Sequence, residues 1–301
     1  MKILITGCNG QVGNSLVKLL SSMLTVEFLA VDHKQLDITD GPAVIKLVNE
    51  FKPDVIVNAA AYTSVDKAEQ EIELSYAINR DGPLFLAQAS NMVCASLIHI
   101  STDYVFDGNK NGEYEELDVP RARSVYGASK LAGEEAVIKE CNRAVVIRTS
   151  WVFSEFGNNF VKTMLALSKR QNSIMVVDDQ IGGPTYAGDL ANEIVKISEL
   201  IYLNKNFPFG IYHYSGFPYV TWYEFADTIF DIAAVYQIIQ EKPSLNPIKT
   251  NLYPAVAKRP KNSCLSMDKI ENTLSIRPSN WKVGLERVLL NLRVPNESNR
   301  N

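Results

Sequence analysis

Tyr126 and Lys130 are the two side chains of this sequence best suited to proton transfer. They begin and end the segment YGASK, and their spacing places them on one face of a helix. A free tyrosine titrates near about 10, and a fixed cation should bring the phenol closer to a pKa at which it exchanges a proton at neutral pH. Because the same spacing arises by chance in many helices, the neighbouring elements decide whether the pair is catalytic.

The segment before this helix ends in hydroxyl groups. Residues 97–100 (LIHI) predict a short buried strand, and Ser101 and Thr102 follow it directly. Open α/β sheets bind their ligands at the carboxyl ends of the strands. We therefore expect the Thr102 hydroxyl to lie where a ligand binds.

A glycine-rich loop lies near the start of the chain. Strand-forming residues at 2–6 run into GCNGQVG at 7–13, and apolar periodicity from Val12 onward predicts a helix. Gly7, Gly10 and Gly13 would allow a tight turn, close approach to a pyrophosphate and packing of helix on strand. A purely structural turn is the alternative, but the flanking strand and helix are the context that a dinucleotide site requires.

Asp32 follows the second predicted strand, at 26–31. An acidic residue there usually accepts hydrogen bonds from the adenosine ribose and favours NAD over NADP. The adjacent His33 and Lys34 could instead contact a 2′-phosphate. The choice between NADH and NADPH therefore stays open.

Residues 37–40 lie between this strand and the next helix. Asp37 and Ile38 lie where a loop could flank the adenine, although Asp37 or Asp40 could simply cap the helix predicted at 41–51. Asp40 is the better cap, since Pro42 then falls in the first turn.

Strands and helices alternate through the first 150 residues. After the third strand, at 55–58, the small residues of Ala61-Tyr62-Thr63 and its neighbours could let a ribose or ring lie against the backbone, or could simply pack well.

Trp151 directly follows the fifth strand, at 144–149, and should face the cleft at the sheet edge. Its alternative role is to pack a core or a domain interface.

This alternation predicts an α/β fold with a Rossmann-like, doubly wound parallel sheet. Residues 1–150 would form the NAD(P)-binding domain. Residues 151–301, where the pattern loosens, would form a smaller and partly discontinuous substrate domain, with some segments returning to the sheet.

The composition limits the classes of function. The 301 residues are 46% hydrophobic and 21% charged, enough for one large domain or two moderate ones. A net charge of −4 argues against a nucleic-acid surface. No signal peptide or membrane span is predicted, so we expect a cytoplasmic protein. The four cysteines and three histidines are scattered and indicate no disulfide framework or metal site.

The motifs resemble those of the extended short-chain dehydrogenase/reductases and, more narrowly, the dTDP-4-dehydrorhamnose reductases. The segments that carry the narrower resemblance are VNAAAYTSVDKAE, HISTDYVFDG, YGASKLAGE, RTSWVF, GNNFVKTM, DDQIGGPTYAGDLA and the late KRPKNS. They occur in order from the first residue to about residue 281. Several ordered segments are more specific than the glycine loop alone.

The resemblance implies NADPH or NADH as cofactor, a nucleotide-sugar substrate and a role for each matching residue. Tyr126 would be the proton donor, Lys130 its partner at the cofactor ribose, and Thr102 a hydrogen-bond donor to the substrate carbonyl. Asp103 and Trp151 would contact the substrate. The remaining cofactor positions would be Gly10, Gln11 and Val12 at the phosphates, Asp32 at the ribose, Asp37 and Ile38 at the adenine, and Ala61, Tyr62 and Thr63 beside the nicotinamide half.

Two other interpretations of the function stay open at this level. A nucleotide-sugar dehydratase or epimerase is one, but the dehydratases carry Asp-Glu after the threonine, whereas Thr102 is followed here by Asp103 and Tyr104. A non-catalytic NADP-binding subunit, similar to the regulatory subunit of methionine adenosyltransferase, is another. A homodimer is compatible with the resemblance, and the sequence does not determine the oligomeric state.

Overall fold

The computed structural model describes residues 1–204 and 206–293, and its central feature is a six-stranded parallel sheet. The strands are β1 (Lys2–Thr6), β2 (Glu27–Val31), β3 (Val55–Asn58), β4 (Ser96–Thr102), β5 (Ala144–Thr149), β6 (Val152–Phe153), β7 (Ser173–Val177), β8 (Ile181–Gly182), β9 (Thr185–Tyr186), β10 (Gly210–His213), β11 (Val220–Thr221), β12 (Ser244–Ile248) and β13 (Asn262–Ser263). The large sheet has the order β10-β5-β4-β3-β1-β2. The order reverses between β1 and β3, so the carboxyl ends of these strands border a ligand crevice.

Helices cover both faces of this sheet. They are α1 (Gln11–Leu20), α2 (Gly41–Phe51), α3 (Val65–Ala68), α4 (Ile72–Tyr76), α5 (Gly82–Met92), α6 (Val125–Glu140), α7 (Phe160–Ser168), α8 (Ala187–Leu203), α9 (Trp222–Val235), α10 (Asp268–Leu274) and α11 (Trp281–Arg293). A π-helical segment, Ala77–Asp81, joins α4 to α5. Helical backbone therefore runs without interruption from Ile72 to Met92.

Successive side chains of the buried strands point to opposite faces of the large sheet, so helices must cover both faces. In β1, Ile3 and Ile5 pack in the same apolar cluster as residues of α1 and α8. Leu4 between them packs on the opposite face with residues of α2 and α5. The predicted doubly wound α/β fold is confirmed.

Several local predictions agree with the structure in detail. The strands expected at 2–6, 55–58 and 144–149 have those bounds. Asp40 caps α2, because its Oδ1 accepts a hydrogen bond from the backbone N–H of Ala43 at 3.0 Å, and Pro42 lies in the first turn. Within the described ranges, no helix has both the length and the apolar character needed to cross a bilayer.

The chain after residue 150 builds smaller sheets and a separate apolar cluster. The sheets have the orders β11-β8-β13, β12-β7 and β6-β9. Phe225, Phe230 and Trp281 lie at the centre of the cluster. β10 pairs with β5 in the large sheet, so one segment of this half does return to it. The division at residue 150 stays a prediction.

Candidate active site

Thr102 ends β4 and begins a short 3-10 helix, Asp103–Val105. Its Oγ1 accepts a hydrogen bond from the backbone N–H of Tyr104 at 3.2 Å and lies 3.1 Å from Oδ1 of Asp103. The other carboxylate oxygen of Asp103 accepts a hydrogen bond from the Ser263 hydroxyl of β13 at 2.6 Å. Asp103 is only 3% exposed, and burial raises its pKa to about 6. Its predicted contact with substrate stays a prediction, since both oxygens face protein hydroxyls here.

The first turn of α6 is held in place by caps. The Ser124 hydroxyl accepts a hydrogen bond from the Gly127 N–H at 3.1 Å, and the Glu69 carboxylate accepts one from the Val125 N–H at 2.8 Å. A Cβ on Gly127 would lie 2.2 Å from the carbonyl oxygen of Tyr104, so only glycine lets the helix approach this closely. Tyr126 in this turn is consequently positioned against the end of β4.

Tyr126 lies beside Thr102 and packs edge-on against the Tyr104 ring, with centroids 5.4 Å apart. The expectation that Lys130 lowers its pKa is wrong for this structure. Burial raises the pKa of Tyr126 to about 12, although a hydrogen bond with the Thr102 side chain opposes the shift. The phenol is thus a proton-loaded acid at neutral pH.

Lys130 is buried one helical turn beyond Tyr126. Its Nζ donates a hydrogen bond to the carbonyl oxygen of Ile100 at 2.7 Å. Burial lowers the pKa of Lys130 to about 8, although the negative charge of Glu134 favours the ammonium form. Tyr126 and Lys130 thus both lie beside the carboxyl-terminal part of β4, and their catalytic roles stay a prediction.

His99 lies behind Lys130, and no role was predicted for it. The Asn58 Oδ1 accepts hydrogen bonds from the Thr6 hydroxyl at 2.8 Å and the Ala60 N–H at 3.1 Å, so its amide nitrogen faces Nδ1 of His99 at 3.0 Å. Nδ1 must then be the acceptor, and Nε2–H points to Lys130 Nζ at 3.4 Å. Burial and the Lys130 charge hold the pKa of His99 well below its usual value. The ring is neutral, and its N–H favours a neutral amine on Lys130.

Asn79 links the cofactor side of the site to the catalytic helix, and sequence reasoning missed it. Its Oδ1 accepts a hydrogen bond from the Tyr62 N–H at 2.8 Å, and its Nδ2 donates to the Tyr62 carbonyl and to the Ser129 hydroxyl at 3.1 and 3.0 Å. Asn79 is fully buried within the π-helical segment, a feature frequent at functional sites. The only available sequence signal was an amide within a helical pattern.

The glycine loop has the close backbone contacts that the motif predicted. Gly7 has φ +73°, and a Cβ there would lie 2.5 Å from the Ala60 nitrogen. A Cβ on Gly13 would lie 2.2 Å from the Gly7 carbonyl oxygen. Gly10 caps α1, and the side chain of Val12 is buried in the core. A backbone cradle at a helix N-terminus fits the phosphates of a dinucleotide.

Gln11 is the exception within this loop. Its Nε2 donates a hydrogen bond to the Val152 carbonyl at 3.2 Å, and its Oε1 accepts from Ser154 and Asn159 at 3.0 Å each. The side chain therefore ties the loop to the second half of the chain. Its predicted contact with phosphate stays a prediction, and the backbone of the loop is the part of Gln11 left free to make it.

A cavity of ≈ 250 Å³ opens beside the loop at the crevice between β1 and β3. Its lining includes predicted cofactor residues from four segments of the chain: Gly7, Gly10, Asp32, Asp37, Ile38 and Ala61. Tyr62 and Thr63 are absent from this lining, and the Tyr62 hydroxyl donates a hydrogen bond to Glu71 at 2.5 Å. The cavity fits the adenosine half of a dinucleotide.

Asp32 lines this cavity with its carboxylate already oriented. Oδ2 accepts a hydrogen bond from Asn9 at 2.8 Å, and Oδ1 accepts from the backbone N–H groups of Lys34 and Gln35 at 2.9 and 3.1 Å. The hydrogen bond from the Gln35 N–H is the main reason why the pKa of Asp32 is lowered. The group is therefore a fixed anion at neutral pH.

Replacing Asp32 by alanine should weaken the binding of NADH more than that of NADPH. The 2′-hydroxyl of NADH loses a hydrogen-bond acceptor, whereas the 2′-phosphate of NADPH loses a repulsive neighbour. Titrating both cofactors by fluorescence measures the two dissociation constants. Asp37→Ala serves as the control, since it removes another carboxylate from the same cavity. Equal losses of affinity for both cofactors in Asp32→Ala would show that Asp32 does not distinguish a 2′-hydroxyl from a 2′-phosphate.

Trp151 lies directly after β5 with φ +47°. Its ring is half-buried and stacks on Trp222 of α9, with centroids 3.5 Å apart and planes at 11°. The Trp222 Nε1 donates a hydrogen bond to Gln180 at 3.2 Å. This contact supports the packing role that the sequence left as an alternative, and the substrate contact stays a prediction.

Trp151→Ala should lower kcat/KM for the substrate while cofactor affinity stays near that of the parent. Trp222→Ala is the matched control, because it removes the same stacking contact. Melting curves and steady-state kinetics on one preparation compare them. If both variants lost about 3–5 kcal/mol of stability and kept normal kinetics, Trp151 would be a packing residue only.

Comparisons with known proteins agree with this geometry. The family model described as the RmlD substrate binding domain matches residues 1–294. The chain belongs to this family. A dTDP-4-dehydrorhamnose reductase of Aggregatibacter actinomycetemcomitans is 47% identical over 95% of this chain and 98% of that protein.

Solved structures of RmlD-type reductases have the same fold as this chain. That of a dTDP-4-dehydrorhamnose reductase from Clostridium acetobutylicum is 39% identical, with a TM-score of 0.90 over 98% of this chain and all of the other. One from Bacillus anthracis, solved in complex with NADP, is also 39% identical, with a TM-score of 0.88 over 96% and 99% of the two chains. Membership of the family thus extends over the whole described fold.

Proposed function

We propose that this chain reduces the 4-keto group of dTDP-4-dehydro-L-rhamnose to give dTDP-L-rhamnose, with NADPH or NADH as the reductant. The observation that carries the proposal is the convergence of Tyr126, Lys130 and Thr102 at the end of β4, beside a dinucleotide-binding loop. The relatives named as reductases, and the NADP complex of one of them, support the substrate and the cofactor.

The cofactor supplies a hydride, with its two electrons, to carbon 4 of the sugar. The Tyr126 phenol transfers its proton to the oxygen of the former ketone, so a C–H and an O–H bond form and the C=O π bond breaks. Thr102 is the second group able to donate a hydrogen bond to that oxygen. Lys130, one helical turn beyond Tyr126, is the residue that would hold the cofactor ribose.

Retention of all three groups opposes the non-catalytic alternative, since a purely regulatory subunit has no need of a proton donor. The dehydratase alternative requires a second carboxylate directly after Asp103, and Tyr104 occupies that position. A cytoplasmic location and a homodimer remain proposals that accompany the enzymatic one. Sedimentation of the purified chain tests the latter.

One assay tests the proposed reaction. The purified chain is mixed with the dTDP-4-keto sugar and either NADPH or NADH, and the nicotinamide absorbance is followed. Consumption of the cofactor with formation of dTDP-L-rhamnose is expected. No consumption with either cofactor, from a chain that binds NADPH and melts cooperatively, would favour the regulatory alternative.

A further inference from the structure

Three neighbours compete for the hydrogen-bonding positions of the Thr102 hydroxyl: the Tyr104 N–H, the Asp103 carboxyl group and the Tyr126 phenol. A threonine hydroxyl offers one proton and two lone pairs. The Tyr104 N–H occupies one lone pair at 3.2 Å, and Asp103 Oδ1 lies 3.1 Å away. An ionised carboxylate can only accept hydrogen bonds. While Asp103 is ionised, the single proton of Thr102 is directed at Asp103 and is not available to a substrate.

A protonated Asp103 would reverse this hydrogen bond. The carboxylic acid would donate its proton to Thr102 Oγ1, and the threonine proton would be free to point at another acceptor. Ser263 can keep its 2.6 Å hydrogen bond to Oδ2 of Asp103 in both states. The Ser263 contact therefore holds the carboxyl group still while the direction of the Thr102 bond changes.

We infer that Asp103 is a positioning residue that sets the direction of the Thr102 hydrogen bond: neutral Asp103 turns the hydroxyl proton toward the reacting ketone, and ionised Asp103 withdraws it. The inference rests on the proposed ketone reduction. It gives Asp103 a role through Thr102, whether or not the carboxyl group also contacts the sugar. Ser263, on a strand distant in the sequence, becomes part of the same device.

Asp103 changes charge near neutral pH, whereas the titratable groups that interact with it do not. The titratable side chains that interact with it are Tyr104 of the 3-10 helix, Tyr126 of α6 and Cys264 after β13. Burial raises the pKa of Tyr104 far above its usual value, and raises those of Tyr126 and Cys264 to about 12. All three stay neutral between pH 5 and 8 as these pKa values require. Asp103, with a pKa raised to about 6, does not.

The sign of the pH dependence follows from this. The productive form has Asp103 protonated, so kcat/KM should be highest below about pH 6. It should fall by up to about tenfold per pH unit above that. The fall should end in a plateau no deeper than about 10²–10³-fold, the effect of losing one donor to a developing oxyanion.

The test is a pH profile of kcat/KM from initial rates with the dTDP-4-keto sugar. Ser263→Ala removes a hydrogen bond that lowers the pKa of Asp103, so the fall in rate should begin at a higher pH. Asp103→Asn has no titratable group and should lack this fall. Ser266→Ala is the matched control, because that buried serine accepts from the Asp268 N–H and does not contact Asp103. Its profile should match that of the parent.

Two results would overturn the inference: a fall at the parent's pH in Asp103→Asn, or an unmoved fall in Ser263→Ala. The Ser263→Ala profile decides the matter alone if Asp103→Asn does not fold. Failure of the proposed reduction would look different, since the parent chain would then consume no cofactor at any pH.

Discussion

Replacing Tyr126 by phenylalanine should lower turnover by about 10²–10⁴-fold, the contribution of a positioned general acid. The substitution removes the phenol proton and keeps the ring that packs at 5.4 Å from Tyr104. Because no other acid of the described residues is assigned to protonate the ketone oxygen, the loss should fall on kcat. Cofactor dissociation constants should change little, and stopped-flow absorbance of the nicotinamide gives both quantities.

The control is Tyr202→Phe, which removes a phenol hydroxyl from an exposed tyrosine of α8. It should match the parent in rate and melting temperature. A Tyr126→Phe variant with near-normal turnover would remove this residue from the mechanism. A variant that melts well below the parent would instead assign the loss to folding.

Replacing Glu134 by glutamine should destabilise the fold by about 3–5 kcal/mol, the usual cost of breaking a buried ion pair. Glu134 of α6 and Arg148 of β5 are each 2% exposed, with Oε2 and Nη2 2.7 Å apart and a second contact from Nε at 3.0 Å. The Ser101 hydroxyl also donates to Glu134. An amide of the same shape leaves the buried Arg148 cation without its hydrogen-bonded counter-charge.

Denaturant unfolding of the two proteins measures this loss directly. Glu135→Gln is the matched control, since Glu135 is exposed on the same helix and should change stability by less than about 0.5 kcal/mol. Equal stabilities for Glu134→Gln and the parent would show that the guanidinium finds other partners. Glu134 also favours the charged form of Lys130, so its removal should lower the pKa of Lys130 below about 8.

Local patterns were sufficient to predict the sheet and the position of the site along the chain. Strand periodicity gave the bounds of β1, β3 and β5, and cap preferences gave Asp40 as the start of α2. These features depend on residues a few positions apart, so a linear sequence contains them. The rule that ligands bind at the carboxyl ends of parallel strands then grouped Thr102 with Tyr126 and Lys130.

Long-range packing decided the properties of the groups within the site. The contacts of Ser263 with Asp103, of Gln11 with Asn159 and of Trp151 with Trp222 each join residues more than 70 positions apart. No periodicity relates such residues, because the route of the chain through the smaller sheets determines which of them meet.

The pKa of Tyr126 shows most clearly the difference between what local patterns predict and what long-range packing decides. A lysine one turn away led us to expect a lowered pKa for Tyr126, yet burial raises it to about 12. The cost of removing a charge from water depends on every group that surrounds it, and spacing along a helix describes only one of them. The residue types and their order were therefore readable from the sequence, whereas their protonation states followed from the complete fold.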